Sequence, residues 1–122
     1  MAGLTPNDVN VVETYDDYPV IVMMQLEDLG FCNKGEGPEF VRTHTFTTNG
    51  TFPHNTCGGQ LSLGQAGAAG GFLGLTEALR QLTAQQIGAR VDNAKVALVS
   101  GFGMINYDRG LSSCAAILAR AA

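Results

Sequence analysis

Hydrophobic positions along the chain change period several times, and each change marks a predicted element. Val9 to Val12 is a short, β-branched run that follows the turn or cap residues Thr5-Pro6-Asn7-Asp8 and ends near Glu13, as a buried strand would. Pro19 suits the first turn of a helix. After it, Val20, Ile21, Met23, Met24, Leu26 and Leu29 recur at helical spacing as far as Gly30, a suitable C-cap. The strand therefore feeds the helix through Thr14-Tyr15-Asp16-Asp17-Tyr18. Between Cys32 and Pro53 the period is lost, and Gly35, Gly37, Pro38, Asn49 and Gly50 predict a long irregular loop. Loops of that length inside a compact domain are usually functional.

Further on, Phe72, Leu75, Leu79 and Leu82 are spaced like one helix face, with glycines and alanines running into them. An interior glycine costs a helix about 1 kcal/mol relative to alanine, so Gln65 to Leu82 is expected to be a core helix buried on all sides. Lys95 to Ser100 reads as a strand, Gly101-Phe102-Gly103 as a turn, and Leu111 to Ala119 as a last apolar strand whose alanines would also suit a helix. The order β, α, long loop, α, β, β predicts a layered α/β architecture with an antiparallel final pair. Residues 1–122 are expected to form one domain or part of one.

A formal charge of −4 argues against nucleic acid or an anionic membrane as the main partner, since either needs a basic face. No run approaches the roughly 20 apolar residues of a membrane span, and no basic, apolar leader opens the chain, so the expected location is cytoplasmic. The 3 cysteines, Cys32, Cys57 and Cys114, lack paired spacing and are expected to be free thiols with no metal among them. Cys114 is expected to be a buried small residue in its strand. Asn49-Gly50-Thr51 is read as an incidental glycosylation match. His44 and His54 are expected to face solvent.

Two places could carry chemistry. At the junction after the first strand, Tyr15 or Asp16 could donate or accept a proton where α/β proteins tend to bind ligands. The plainer alternative is that Asp16 or Asp17 caps the helix while the tyrosines pack. Farther along, Asn55-Thr56-Cys57-Gly58-Gly59 and then Leu61-Ser62-Leu63-Gly64-Gln65 offer an amide, a thiol, a hydroxyl and backbone donors near a helix start, able to hold an oxyanion or enolate. The plainer alternative there is a tight glycine turn.

These segments resemble a known family. Asn55 to Ala69 resembles the thiolase signature Asn-x-x-Gly-Gly followed by Gly-His-Pro-x-Gly-Ala. Asp8 to Tyr18 resembles the strand that ends in Asn-Glu-Ala-Phe, or in His-Asp-x-Phe in the sterol-carrier-protein branch. Leu29-Gly30-Phe31-Cys32 and Gly35-Glu36-Gly37 are similar to that branch's Leu-Gly-x-Cys and Gly-x-Gly, and the match extends over nearly the whole chain. The resemblance implies part of the C-terminal half of a thiolase: a layered α-β-α unit with a mixed sheet, incomplete without an N-terminal half that carries the nucleophilic cysteine. It implies no bound cofactor, with a coenzyme A thioester as substrate, and either acyl transfer or retro-aldol C–C cleavage.

The family's catalytic positions are altered. Tyr15 stands at the Asn or His of the first motif, Gln65 at the His of Gly-His-Pro, and no cysteine lies in the last loop near Ser100 to Gly103. Glutamine cannot act as an acid or base. A tyrosine at the first motif resembles the thiolase-like acyl-CoA aldolases, which work with a small zinc-ribbon/OB-fold partner but place a second tyrosine where Gln65 is found. The expected catalytic residues are Tyr15 and Tyr107. Asp16, Asn55, Gly58, Gly59, Gln65, Gly101, Gly103 and Asn106 are expected to bind substrate, with Gly101 to Gly110 at the position of the family's last active-site loop. Asp108 and Arg109 could equally form a polar connection there. The alternative is a non-catalytic, thiolase-like subunit that binds acyl-CoA or a partner. Apolar faces left open by a partial fold predict an oligomer, by association with itself, a thiolase N-terminal half or a full-length thiolase-like subunit.

Overall fold

The computed structural model describes residues 2–83, 87–106 and 109–121. Three strands, β1 (Val11–Glu13), β2 (Val96–Asn106) and β3 (Arg109–Ala119), form one mixed sheet in the order β1-β2-β3. β1 runs parallel to β2, pairing Val11 with Ala97 and Glu13 with Val99. β2 and β3 are antiparallel from Val96 opposite Ala119 to Asn106 opposite Arg109. The outer edge of β1 is covered by the chain near His54: the Val12 amide donates to the Pro53 carbonyl and the Asn55 amide to the Val12 carbonyl, each at 3.0 Å.

Helices α1 (Pro19–Asp28), α2 (Gly37–Thr43), α3 (Gly59–Leu63) and α4 (Phe72–Leu82), with single 3-10 turns at Pro6–Asp8 and Gly67–Ala69, complete the described elements. Successive strand residues point to opposite faces, and both faces of the sheet are covered along β1 and the start of β2. Val11 and Ala97 point into a cluster with Ala78, Leu82, Val91 and Ala94 on the α4 side. Val12 and Leu98 point into a second cluster around Leu26, backed by Phe31, Phe40, Phe46 and Phe52. The layered α-β-α arrangement expected from the sequence is therefore present.

The expected N-terminal cap is also found: the Thr5 amide and hydroxyl both donate to Asp8 Oδ2 at 2.7 Å, and Pro6–Asp8 forms one 3-10 turn. Three expectations change. Within the expected loop from Cys32 to Pro53 lies α2, which carries Pro38 in its first turn and is too short to show a period. Gln65 to Leu82 is not one helix. Gly64 and Gly67 sit at φ +96° and +59°, values a right-handed helix cannot hold, and only the part from Phe72 becomes α4. Its buried face is Glu77, Ala78, Gln81 and Leu82, while Phe72 and Leu79 are exposed. Finally, Gly101-Phe102-Gly103 is not a turn. It continues β2, opposite Cys114, Ser113 and Ser112, so β2 and β3 run on past the end of β1 as a two-stranded ribbon.

Candidate functional site

A cleft of about 530 Å³ opens where β1 ends and this ribbon continues. Tyr15 and Gln65 form one side of it; Gly101, Gly103, Ser112 and Cys114 form the other. A ligand there meets backbone and small side chains, as an extended chain approaching a sheet would require. A larger groove of about 880 Å³ lies by α2 around Phe31, Phe40, His44 and Phe52; the Leu29–Cys32 motif reaches it, but among the described residues none of the expected catalytic or substrate-binding ones lines it. We place the site in the smaller cleft because Tyr15, an acid-base candidate, lines it together with Gln65.

Tyr15 is clamped by its backbone. Gln25 of α1 accepts from the Tyr15 amide at 3.2 Å and donates to the Tyr15 carbonyl at 2.7 Å, while the same side chain also donates to the Ile21 carbonyl at 3.1 Å. The Ser100 hydroxyl of β2 donates to Gln25 Oε1 at 2.6 Å. The phenol is held separately, with Gln65 Nε2 donating to the Tyr15 oxygen at 2.6 Å. Burial pushes the phenol above its ordinary pKa, helped by the nearby Asp17 carboxylate, so Tyr15 keeps its proton at neutral pH. Gln65 engages a lone pair of the phenol oxygen, and the O–H has the Asp17 carboxylate as its resting acceptor.

The other motif residues build the frame behind this pair. Asn55 adopts φ +43°, unusual for a residue other than glycine. Its Oδ1 accepts from the Thr14 amide at 2.9 Å, which ties the turn to the residue before Tyr15. The Gly58 amide donates to the Asn55 carbonyl at 2.7 Å. Asp16 caps α3 rather than α1: its Oδ1 accepts from the Gln60 amide at 2.7 Å, whereas Tyr18 precedes α1 with no side-chain cap. That Gln60 amide is thereby engaged within the protein. Gly59 presses so closely on the Asp16 carboxylate that a Cβ there would overlap it. Asn106 ends β2 opposite Arg109. Tyr107 and Asp108 lie outside the described residues.

Two expectations about side chains are corrected. His54 does not face solvent. Its Nε2 is 2.8 Å from the Thr14 hydroxyl, its ring lies edge-on to Phe46 with centroids 5.3 Å apart, and burial pushes its pKa down to about 4. Cys114 is exposed instead of buried, because the described structure places nothing over that stretch of β3. All 3 cysteines are free thiols, as expected.

Sequence reasoning missed a buried polar network beneath the turn. Glu13, the last residue of β1, is 1 % exposed, and its Oε1 accepts from the Thr56 amide at 3.2 Å. From α4, Glu77 receives the Arg80 guanidinium on both oxygens, at 2.7 and 2.6 Å. Gln81 Nε2 donates to the Thr56 hydroxyl at 3.0 Å and to Glu77 at 2.9 Å. The available signal was three polar residues, Glu77, Arg80 and Gln81, spaced to share a helix face. Gln25, a lone amide within an otherwise apolar helical run, was a similar signal.

Residues 1–120 match the family model described as thiolase C-terminal domain-like. A 17-hydroxy-3-oxo-4-pregnene-20-carboxyl-CoA lyase of Mycobacterium tuberculosis is 37% identical over 84% of this chain and 26% of its own length. A steroid side-chain-cleaving aldolase of Thermomonospora curvata is 35% identical over the same shares. Human sterol carrier protein 2 is 34% identical over 84% of this chain and 19% of its own. The chain thus spans about a quarter or less of these relatives.

Proposed function

The chain belongs to the thiolase C-terminal domain-like family, and from that premise we propose that it supplies the proton-donating side of an acyl-CoA-processing site, active when completed by a thiolase N-terminal half or partner subunit. The contact between Gln65 and the Tyr15 phenol at the cleft carries this reading. Retro-aldol cleavage of a β-hydroxyacyl thioester releases an enolate, which must be stabilised and then protonated at carbon. A neutral phenol suits both tasks once its O–H turns from the Asp17 carboxylate to the substrate, and Gln65 fixes its direction without moving a proton. Two of the relatives are named for lyase or aldolase chemistry, which favours cleavage over thiolysis. The base that removes the β-hydroxyl proton is expected at Tyr107 or on the completing chain. Exposed apolar residues Val20, Met24, Leu61, Leu63 and Phe72 are where a second chain, or a zinc-ribbon/OB-fold partner, would pack.

The test is turnover of a β-hydroxyacyl-CoA by the full chain reconstituted with an N-terminal half and the zinc-ribbon partner. Tyr15→Phe should lower kcat about 10²-fold or more with little change in KM. Unchanged turnover removes Tyr15 from the mechanism.

A second reading rests on Gln65 itself: an amide at the proton-transfer position suits a subunit that binds acyl-CoA without reacting. In that case the reconstituted protein binds a non-cleavable acyl-CoA analogue in calorimetry but gives no product from any β-hydroxyacyl-CoA.

A further inference from the structure

We propose that Glu13 is held as a neutral carboxylic acid and, in that form, positions the Asn55–Gly59 turn that leads through α3 to Gln65. The argument is a proton count. The Thr56 hydroxyl has one hydrogen, yet its oxygen is 3.0 Å from Glu13 Oε1 and in a short hydrogen bond with Glu77 Oε1. Gln81 Nε2 donates to that same oxygen. If both carboxyls were ionised, one of the two oxygen–oxygen contacts would contain no hydrogen, and two anions would share one hydroxyl in a buried place.

Glu77 is the ionised member. Burial alone would raise its pKa, but hydrogen bonds from Arg80, Thr56 and Gln81 outweigh that and hold it below the usual value. Among the described residues no cation pairs with Glu13, and Arg80, which pairs with Glu77, lowers the Glu13 pKa only weakly. The extra proton therefore belongs to Glu13 and fills its contact with Thr56. Burial is also the largest influence on the Glu13 carboxyl, pushing it up to about 8 against the lowering effect of the Thr56 amide and hydroxyl. The charged or titratable groups facing it are Glu77 and Arg80 on α4 and Cys57 in the turn, whose thiol is itself raised by burial.

Ionising Glu13 would set a carboxylate beside Glu77 and pull the Thr56 hydrogen away from it, loosening the turn at the residue before Cys57-Gly58-Gly59. Glutamine at position 13 is neutral at every pH and its carbonyl oxygen can still accept from the Thr56 amide, but that one atom cannot also donate to the Thr56 hydroxyl as the acid does, so the variant removes the titration without copying every contact.

The experiment is 13C NMR of the full chain labelled at glutamate side chains, with the Glu13 Cδ resonance identified by its loss in Glu13→Gln. The expected midpoint lies near 8, with the amide signals of Thr56, Gly58 and Gly59 moving at the same midpoint in the wild type and not in the variant. A Glu13 midpoint in the ordinary carboxylate range overturns the proposal, as do turn amides that still move at the same midpoint in Glu13→Gln. If the variant does not fold, the Glu13 Cδ resonance is assigned in the wild type by through-bond correlation to its own backbone, and the wild-type titration decides the question. The readout does not require turnover, so failure of the enzymatic reading leaves it standing.

Discussion

Gly59 lies at φ +66° with its Cα against the Asp16 carboxylate that caps α3. A methyl group there meets both a strained backbone and a buried anion that has no room to move. Gly59→Ala should cost about 2 kcal/mol or more in denaturant unfolding, and an unchanged midpoint would show that the turn relaxes freely. The glycine pair was legible as a tight turn, because only glycine tolerates such φ values without penalty. The partner that makes the second glycine necessary, Asp16, was not legible: it is 43 residues earlier in the chain, and only folding brings it close. The same holds for Tyr15 and Gln65. Each was nominated from its own motif, but their contact spans 50 positions.

Among the elements, α4 shows how a spacing argument can find a helix and misjudge its face. The apolar residues Phe72 and Leu79 are exposed, while Glu77 and Gln81 are buried because Thr56 and Arg80 satisfy them. A face chosen by hydrophobicity fails when hydrogen bonds, rather than transfer from water, compensate burial. Arg80 also reaches beyond its helix, donating to the carbonyls of Ile87 and Ala89 and so tying down the segment after α4. Arg80→Met leaves the Glu77 carboxylate without its cation and frees those carbonyls, and should lower stability by about 2 to 4 kcal/mol. Loss of less than 1 kcal/mol in urea unfolding would mean that the network reorganises around the gap. β2 shows the opposite error. Its glycines suggested a turn, but antiparallel pairing with β3 carries the backbone straight through them. Gly101 and Gly103 leave room for Cys114 and Ser112 across the ladder.

For the whole molecule, two buried groups set opposite pH slopes. Glu13 rises from 4.5 to about 8, so between those values the folded chain keeps a proton that the unfolded chain would release, and stability falls as pH rises. His54 falls from 6.5 to about 4, so as pH drops through that window the unfolded chain takes a proton that the folded chain refuses, and stability falls as pH drops. The two slopes oppose each other where the windows overlap, and above the ordinary His54 value only the Glu13 decline remains. The melting temperature should therefore change little across the overlap and decrease from about 6.5 toward 8. In Glu13→Gln that upper decline should vanish, and its persistence in a thermal melt series would assign the slope to other groups.

The sequence by itself determined the family, the strand-then-helix unit at the N-terminus, the glycine turn, the closing antiparallel strands and the layered class. Local chemistry sets each of these: β-branched runs, proline and glycine at helix ends, and two motifs with characteristic spacing. Tertiary structure decided that Asp16 braces α3, that Gln25 and Gln65 hold Tyr15 from opposite ends, that His54 is half-buried beside Phe46, and that Glu13 and Glu77 meet across one threonine. Those outcomes depend on which distant polar groups share a desolvated space, and hydrogen-bond partners and protonation states are fixed there by three-dimensional proximity that no period along the chain encodes.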